Sequence, residues 1–383
     1  MKFLLIVQGE GRGHMTQAIS MSQLLERNGH EVCAVCVGKS QRREIPEFFS
    51  SKIKAPIFLF ESPNFVTDKK HKGIKLGRTI SYNFTKINLF KKSLHKIDQL
   101  VAEYQPDIIL NFYDLLGGLY NMIYQPACRY WTIGHQYLIN HPDFLYPNGK
   151  SLQKLLFQLN TRITSFGSEL ELALSFKPLY PLQNGNTFVL PPLLRKEVKS
   201  KTPTKGDFYL TYMVNSGYSD EILLYANKCP EIKIEAFWDQ KGAPEMYKPL
   251  ENLTFHQLND HLFLEKMSKC KGLITTAGFE SVCEAMYLGK PVMMIPVNGQ
   301  YEQACNAIDA KRAGAGIPSE NFDFKKMESF LNSGSFIPTS SKAWVDLFEE
   351  KFFTIFNSLP NPKNERKSKL PKVRKSVLTK KFN

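Results

Sequence analysis

Residues 273–307, LITTAGFESVCEAMYLGKPVMMIPVNGQYEQACNA, constrain the fold more than any other stretch of the chain. Residues 273–276 read as a short buried strand, Ala277-Gly278 as a tight turn and 279–288 as a helix. A Gly289-Lys290-Pro291 break then leads into a second apolar strand at 292–296. Apolar runs this short, separated by a helix, belong to a parallel sheet covered on both faces. Gly278 allows a close turn, and the helix behind it opens with unpaired N–H groups at Phe279, Glu280 and Ser281. An anion such as a phosphate or diphosphate is favoured there. Glu284 follows on the same helix and is expected to point into the same crevice. Gln300, Glu302, Gln303 and Asn306 cluster after the second strand, at the edge where open α/β sheets bind ligands. The same pattern also fits an ordinary strand and helix joined by an ordinary turn.

The pieces gain meaning in combination. The Ala277-Gly278 turn, the Ser-x-x-Glu-Ala helix at 281–285, the Gly-x-Pro break at 289–291 and the Gln-x-x-Asn-Ala ending at 303–307 resemble the donor half of GT-B glycosyltransferases, close to the MurG and UDP-glycosyltransferase group. The resemblance implies an α/β architecture, the GT-B fold: two Rossmann-like domains facing a central cleft, with a C-terminal helix crossing back to the N-domain. By the same resemblance Ala277, Gly278, Phe279, Glu280 and Ser281 hold a nucleotide diphosphate, Glu284 binds the ribose hydroxyls, and Gln300, Glu302 and Gln303 contact the sugar. The expected donor is a nucleotide sugar, most simply a UDP-sugar. No cofactor and no metal are expected, and the chain has no Asp-x-Asp pair.

A length of 383 residues exceeds one typical domain. The expected divisions are 1–195 for an acceptor-side domain, 196–206 for a polar, Pro-containing linker and 207–340 for the donor domain. Residues 341–360 are expected to form the crossing helix and 361–383 a disordered basic tail. The formal charge of +14 is concentrated in two places. Residues 363–383 carry nine Lys/Arg against Glu365 alone, and 69–97 carry nine with no acidic residue. Both are surfaces that attract anions. The N-terminal apolar run, Phe3 to Val7, is too short for a signal peptide or a membrane span. A cytoplasmic protein is therefore expected, in solution or resting on the inner face of the cytoplasmic membrane. Seven cysteines without framework spacing fit a reducing compartment. Cys33 and Cys36 form a CxxC within a strand, where alternation is expected to aim the two thiols at opposite faces.

The first half opens with a strand at 2–7, a Gly-rich loop, a helix at 15–28 and a strand at 31–37. The loop G-x-G-x-G-H matches neither the dinucleotide fingerprint nor a P-loop, and its glycines, Gly11 and Gly13 among them, let a ligand approach the backbone. It also resembles the family's first loop, whose closing His is a proposed general base; His14 takes that role by position. A neutral imidazole at a helix start can accept a hydroxyl proton at neutral pH, and a structural cap is the other role open to it. The strand at 106–114 brings Asn111 and Asp114, at its C-terminal end, to the same edge, where Asp114 is a candidate to orient His14. After the strand at 128–133, the resemblance makes His135 and Gln136 acceptor-side residues. Residues 76–102 read as one helix in which Lys86, Lys91, Lys92 and Lys96 interleave with Phe84, Leu89, Phe90, Leu94 and Ile97. Such a helix either rests on anionic lipid or packs its apolar side on the sheet with the lysines solvated.

The second half begins with a strand at 208–214 followed by Asn215, Ser216 and Gly217, which match the family's phosphate loop with a single glycine. The function implied is transfer of a hexose from a nucleotide donor to a hydroxyl of a lipid or lipid-linked acceptor, with inversion and without a metal. Peripheral contact with anionic membrane is expected through 69–97 and the tail. Nucleotide-sugar 2-epimerases share this architecture, and a non-catalytic nucleotide-sugar-binding subunit would keep the fold. Nucleic acid is not an expected partner, because the basic segments lack RNA-reading motifs.

Overall fold

The computed structural model describes residues 1–39, 45–63, 76–149, 151–182, 185–213, 216–240, 242–338 and 341–360. The tail expected at 361–383 and the basic stretch 69–75 lie outside the described residues. The first sheet holds β1 (Lys2–Gln8), β2 (Glu31–Lys39), β3 (Ile57–Glu61), β4 (Ile108–Phe112), β5 (Arg129–Gly134), β6 (Leu170–Leu174) and β7 (Thr187–Leu190). Its order is β3-β2-β1-β4-β5-β6-β7, and every pairing is parallel. β1 is central for a simple reason: Phe3 to Val7 are all fully buried, which requires cover on both faces.

The second sheet holds β8 (Phe208–Tyr212), β9 (Lys233–Trp238), β10 (Met246–Leu250), β11 (Leu253–Gln257), β12 (Gly272–Thr276), β13 (Val292–Ile295) and β14 (Gly316–Pro318). Its order is β10-β11-β9-β8-β12-β13-β14. Only β10 runs antiparallel among these described strands. It is invisible to hydrophobic patterning because Met246, Tyr247 and Lys248 are exposed, and Pro249 is tolerated only on an edge. Strand order reverses between β1 and β4 in one sheet and between β8 and β12 in the other. Those two switch points are where a doubly wound sheet opens a crevice.

The chain ends by returning to the first domain. Phe356, on the helix Phe348–Ser358, stacks on Phe3 at 6.2 Å and meets Trp131 edge-on at 5.8 Å. Phe353 stacks on His30 at 5.9 Å, and Glu349 binds Arg27 at 2.6 Å and the Asn28 amide at 2.9 Å. The two domains and this crossing helix reproduce the GT-B arrangement expected from the sequence.

Two expectations on local structure are corrected. The single helix expected over 76–102 is two, Leu76–Thr85 and Ile87–Tyr104, with Lys86 at non-helical φ −101°, ψ 9°. Thr85 bonds back to the Tyr82 carbonyl at 2.8 Å, a competition with the helix ladder that favours a bend. Cys33 and Cys36 do not face opposite ways. The β1–β2 register slips so that Phe3 pairs with Val32 but Leu4 with Ala34. The extra residue turns Cys33 into the same apolar cluster as Cys36, both as free thiols. Burial pushes the thiols up, to about 11 and about 12 respectively, so neither is a reactive thiolate.

Candidate active site

At the first switch point β1 runs into Gly9, whose N–H bonds the Gly38 carbonyl at 2.7 Å. A Cβ on Gly9 would lie 2.7 Å from Val37 and 2.8 Å from that carbonyl, so only glycine fits this turn. The helix Arg12–Arg27 then starts from Gly11 with no side-chain cap and no acidic residue in its first turn. His14 stands in that turn, half-buried, with Nδ1 buried and without a hydrogen-bond partner. Its ring stacks on Tyr113 at 5.9 Å. Burial lowers its pKa to about 4, against an opposing pull from Gln17, so the imidazole is neutral at pH 7. Tyr113 itself has φ +60°, a strained conformation for an aromatic residue, and is anchored by its hydroxyl to Thr161 at 2.7 Å.

Asp114 has different work from the one expected of it. It is fully buried and caps the helix Leu115–Tyr124, with Oδ1 accepting from the Leu116 N–H at 2.9 Å and the Gly117 N–H at 3.2 Å. Oδ2 turns to β2, where a Cβ on Gly38 would collide with it. Burial raises its pKa to about 6. Among the described contacts none joins Asp114 to His14.

At the second switch point β12 leads through Ala277 to Gly278, which starts the helix Phe279–Tyr287 in extended conformation, φ −75°, ψ 143°. That helix also lacks a side-chain cap, so the N–H groups of its first turn keep no side-chain partner. The Asn306 amide donates to the Ala277 carbonyl at 3.0 Å and fixes the turn. Gln303 accepts from the Val297 N–H at 2.9 Å, which ties it to the loop before the helix Tyr301–Arg312. Gln300 begins that helix. The turn Ser216–Tyr218 follows β8 toward the same edge, with Gly217 half-buried; Asn215 lies outside the described residues.

The two switch points meet. Gln17, one turn on from His14, donates to Glu280 Oε2 at 3.0 Å, and a Cβ on Gly13 would lie 3.4 Å from the Glu280 Cβ. The other Glu280 oxygen is buried without a partner. Burial, reinforced by Glu284, holds the Glu280 carboxyl well above the usual carboxylate range, which disfavours a negative charge at the helix start. Beside it the His135 ring stacks on Phe279 at 4.4 Å, with Nδ1 donating to the Leu174 carbonyl at 2.8 Å and Nε2 3.7 Å from Asp309. Gln136 donates to Glu302 at 2.8 Å, and burial raises the Glu302 pKa to about 7.

Glu284 sits elsewhere. It is 2% exposed and takes a two-pronged ion pair from Arg195, at 2.6 and 3.1 Å, on the segment between the sheets. Arg195 also binds Asp260, which Lys52 of the first domain reaches at 3.4 Å along with Glu197 at 2.7 Å. Burial disfavours the guanidinium charge, but the two carboxylates outweigh it and push the Arg195 pKa up. The carboxylate expected on a ribose is thus held by the interdomain clamp. Sequence reasoning missed Arg195, Tyr113 and Gln17. Gln17 had a usable signal, since a residue three beyond His14 shares its helix face.

Two Rossmann-like domains, a neutral imidazole at one helix start and an uncapped, glycine-led helix start opposite define a GT-B glycosyltransferase. The chain belongs to glycosyl transferase family 1, whose profile matches residues 1–334. An uncharacterized glycosyltransferase of Methanosarcina acetivorans is 24% identical over 343 residues, covering 82% of this chain and 83% of that protein. Among solved structures, MurG of Acinetobacter baumannii is similar at 13% identity and TM-score 0.54, covering 94% of this chain and 100% of its own. A UDP-GlcNAc 2-epimerase from Neisseria meningitidis bound to UDP-GlcNAc is similar at 13% identity and TM-score 0.59, with the same coverage.

Proposed function

We propose that this glycosyltransferase moves a hexose from a UDP-sugar to a hydroxyl of a lipid or lipid-linked acceptor, with inversion and without a bound metal. The observation that carries the reading is the approach of the two helix starts, with Gly13 and His14 on one side and Gly278 to Ser281 on the other. The donor diphosphate lies against the N–H groups behind Gly278, which stabilise its charge as the bond to the anomeric carbon breaks. The acceptor hydroxyl oxygen attacks that carbon from the opposite face, and its proton passes to the neutral His14 ring. A single displacement of this kind inverts the centre. His135 and Gln136 border the acceptor side through Phe279 and Glu302. No described helix is long and apolar enough to cross a membrane, so contact with a lipid acceptor is peripheral in this reading.

Thermal shift of the purified chain against UDP, GDP, dTDP and ADP tests the donor class. Selective stabilisation by UDP is expected. Stabilisation by another diphosphate would replace the donor assignment, and no response to any of them would overturn the reading. Release of free 2-epimerised sugar from a UDP-sugar, without any acceptor, would favour the epimerase instead.

A further inference from the structure

The helix Ser151–Thr164 turns one aromatic and two threonines inward and a row of leucines outward. Phe157, Thr161 and Thr164 are buried, Phe157 against Tyr301 at 5.9 Å and Thr161 beneath Tyr113, the platform of His14. Leu152, Leu155 and Leu159 recur at helical spacing on the other side and are 61%, 59% and 50% exposed. Three leucines in water on one face call for an occupant.

Two features select it. Residues 144–168 contain Lys150, Lys154 and Arg162 and no Asp or Glu. The helix Ile87–Tyr104, which like Ser151–Thr164 packs against Leu115–Tyr124, is acid-free from its start to Ile97, and the approach to it exposes Phe84 at 73%. Because the sheet is parallel, both helices begin at the strand edge that carries His14. A second copy is disfavoured: an isologous contact would set these basic faces against each other, and three leucines fall far short of the roughly 800 Å² per partner of a stable dimer.

We propose that the Leu152-Leu155-Leu159 face is a docking surface for an anionic lipid bilayer, holding the acceptor side of the cleft at the membrane. This rests on the lipid-acceptor reading for its purpose but is tested without any acceptor. In co-sedimentation, the full chain is expected to bind vesicles of phosphatidylcholine containing phosphatidylglycerol and to bind pure phosphatidylcholine far less. The Leu155→Gln/Leu159→Gln variant, with an unchanged melting profile, should lose about tenfold in partitioning. A Leu155→Trp variant distinguishes this face from the basic tail. Only insertion of this helix shifts the fluorescence of the added tryptophan to the blue with the anionic vesicles, relative to the parent chain. Vesicle binding unaffected by the double substitution, or no such blue shift in the Leu155→Trp variant, would overturn the proposal. A dimer in light scattering that the double substitution dissolves, without vesicle binding, would overturn it in favour of self-association. UDP binding is expected to be equal in all variants, so failure here leaves the donor reading intact.

Discussion

The two switch points are built alike, and the proposed reaction gives them opposite work. Each places a glycine at the head of a helix with no side-chain cap, Gly11 in one domain and Gly278 in the other. The first has no acidic residue in its opening turn and a neutral His14 with one nitrogen unused. The second has backbone donors, and burial disfavours the charged form of the Glu280 carboxyl beside them. In the proposed reaction one fold motif thus supplies a proton acceptor on one side and an anion holder on the other, depending on which side chain follows the glycine.

The sharpest way to break that comparison is His14→Ala. Turnover should fall about a hundredfold to ten-thousandfold while UDP affinity stays within a factor of two or so. Equal turnover in the two proteins would leave His14 as a packing partner of Tyr113 with no part in the reaction. Its pH profile adds a check. Burial lowers the folded pKa from 6.5 to about 4, so the folded chain binds fewer protons than the unfolded chain between those values. The contribution of His14 to stability is present above pH 6.5 and is lost as pH falls through about 4. The base stays neutral over the same window, so the acid limb of kcat/KM should fall near pH 4, and a limb at 6.5 would contradict the burial.

Arg195→Met comes next. It strands Glu284 and Asp260 in a buried site and should cost about 3–5 kcal/mol in denaturant unfolding, with much of the loss recovered by adding Glu284→Met. Loss of UDP affinity in Glu284→Gln with no change in stability would instead return that carboxylate to the ribose. The smallest effect is expected from Asp114→Ala, about 1 kcal/mol of helix-cap stability with kcat unchanged, measured by thermal melting and initial rates. A hundredfold fall in kcat would reinstate Asp114 as the partner of His14.

Much of this arrangement is legible in sequence because periodicity and punctuation survive in a single chain. The apolar runs at 2–7 and 273–276 and the glycines behind them place both switch points without coordinates. Which carboxylate faces which partner is not legible. Glu280 and Glu284 lie about one turn apart on one helix, and their division between Gln17 and Arg195 depends on how the domains dock. Asp114 looks catalytic because it ends a strand at the right edge, yet that same position is a helix N-cap, where a carboxylate is favoured for local reasons. Cys33 is displaced by one extra residue in β2, a register slip that carries no sequence signature.

The most direct test of the account is calorimetric titration of UDP into wild type and Gly278→Leu. Gly278 has an extended backbone, and an added Cβ would meet nothing nearer than 3.9 Å, so the substitution should fold with an unchanged melting temperature. The new side chain would occupy the space before the helix start, and UDP affinity is expected to fall at least about tenfold, a loss of roughly 1.4 kcal/mol. Equal affinity in the two proteins would mean that the diphosphate binds elsewhere and that the second switch point is not the donor site.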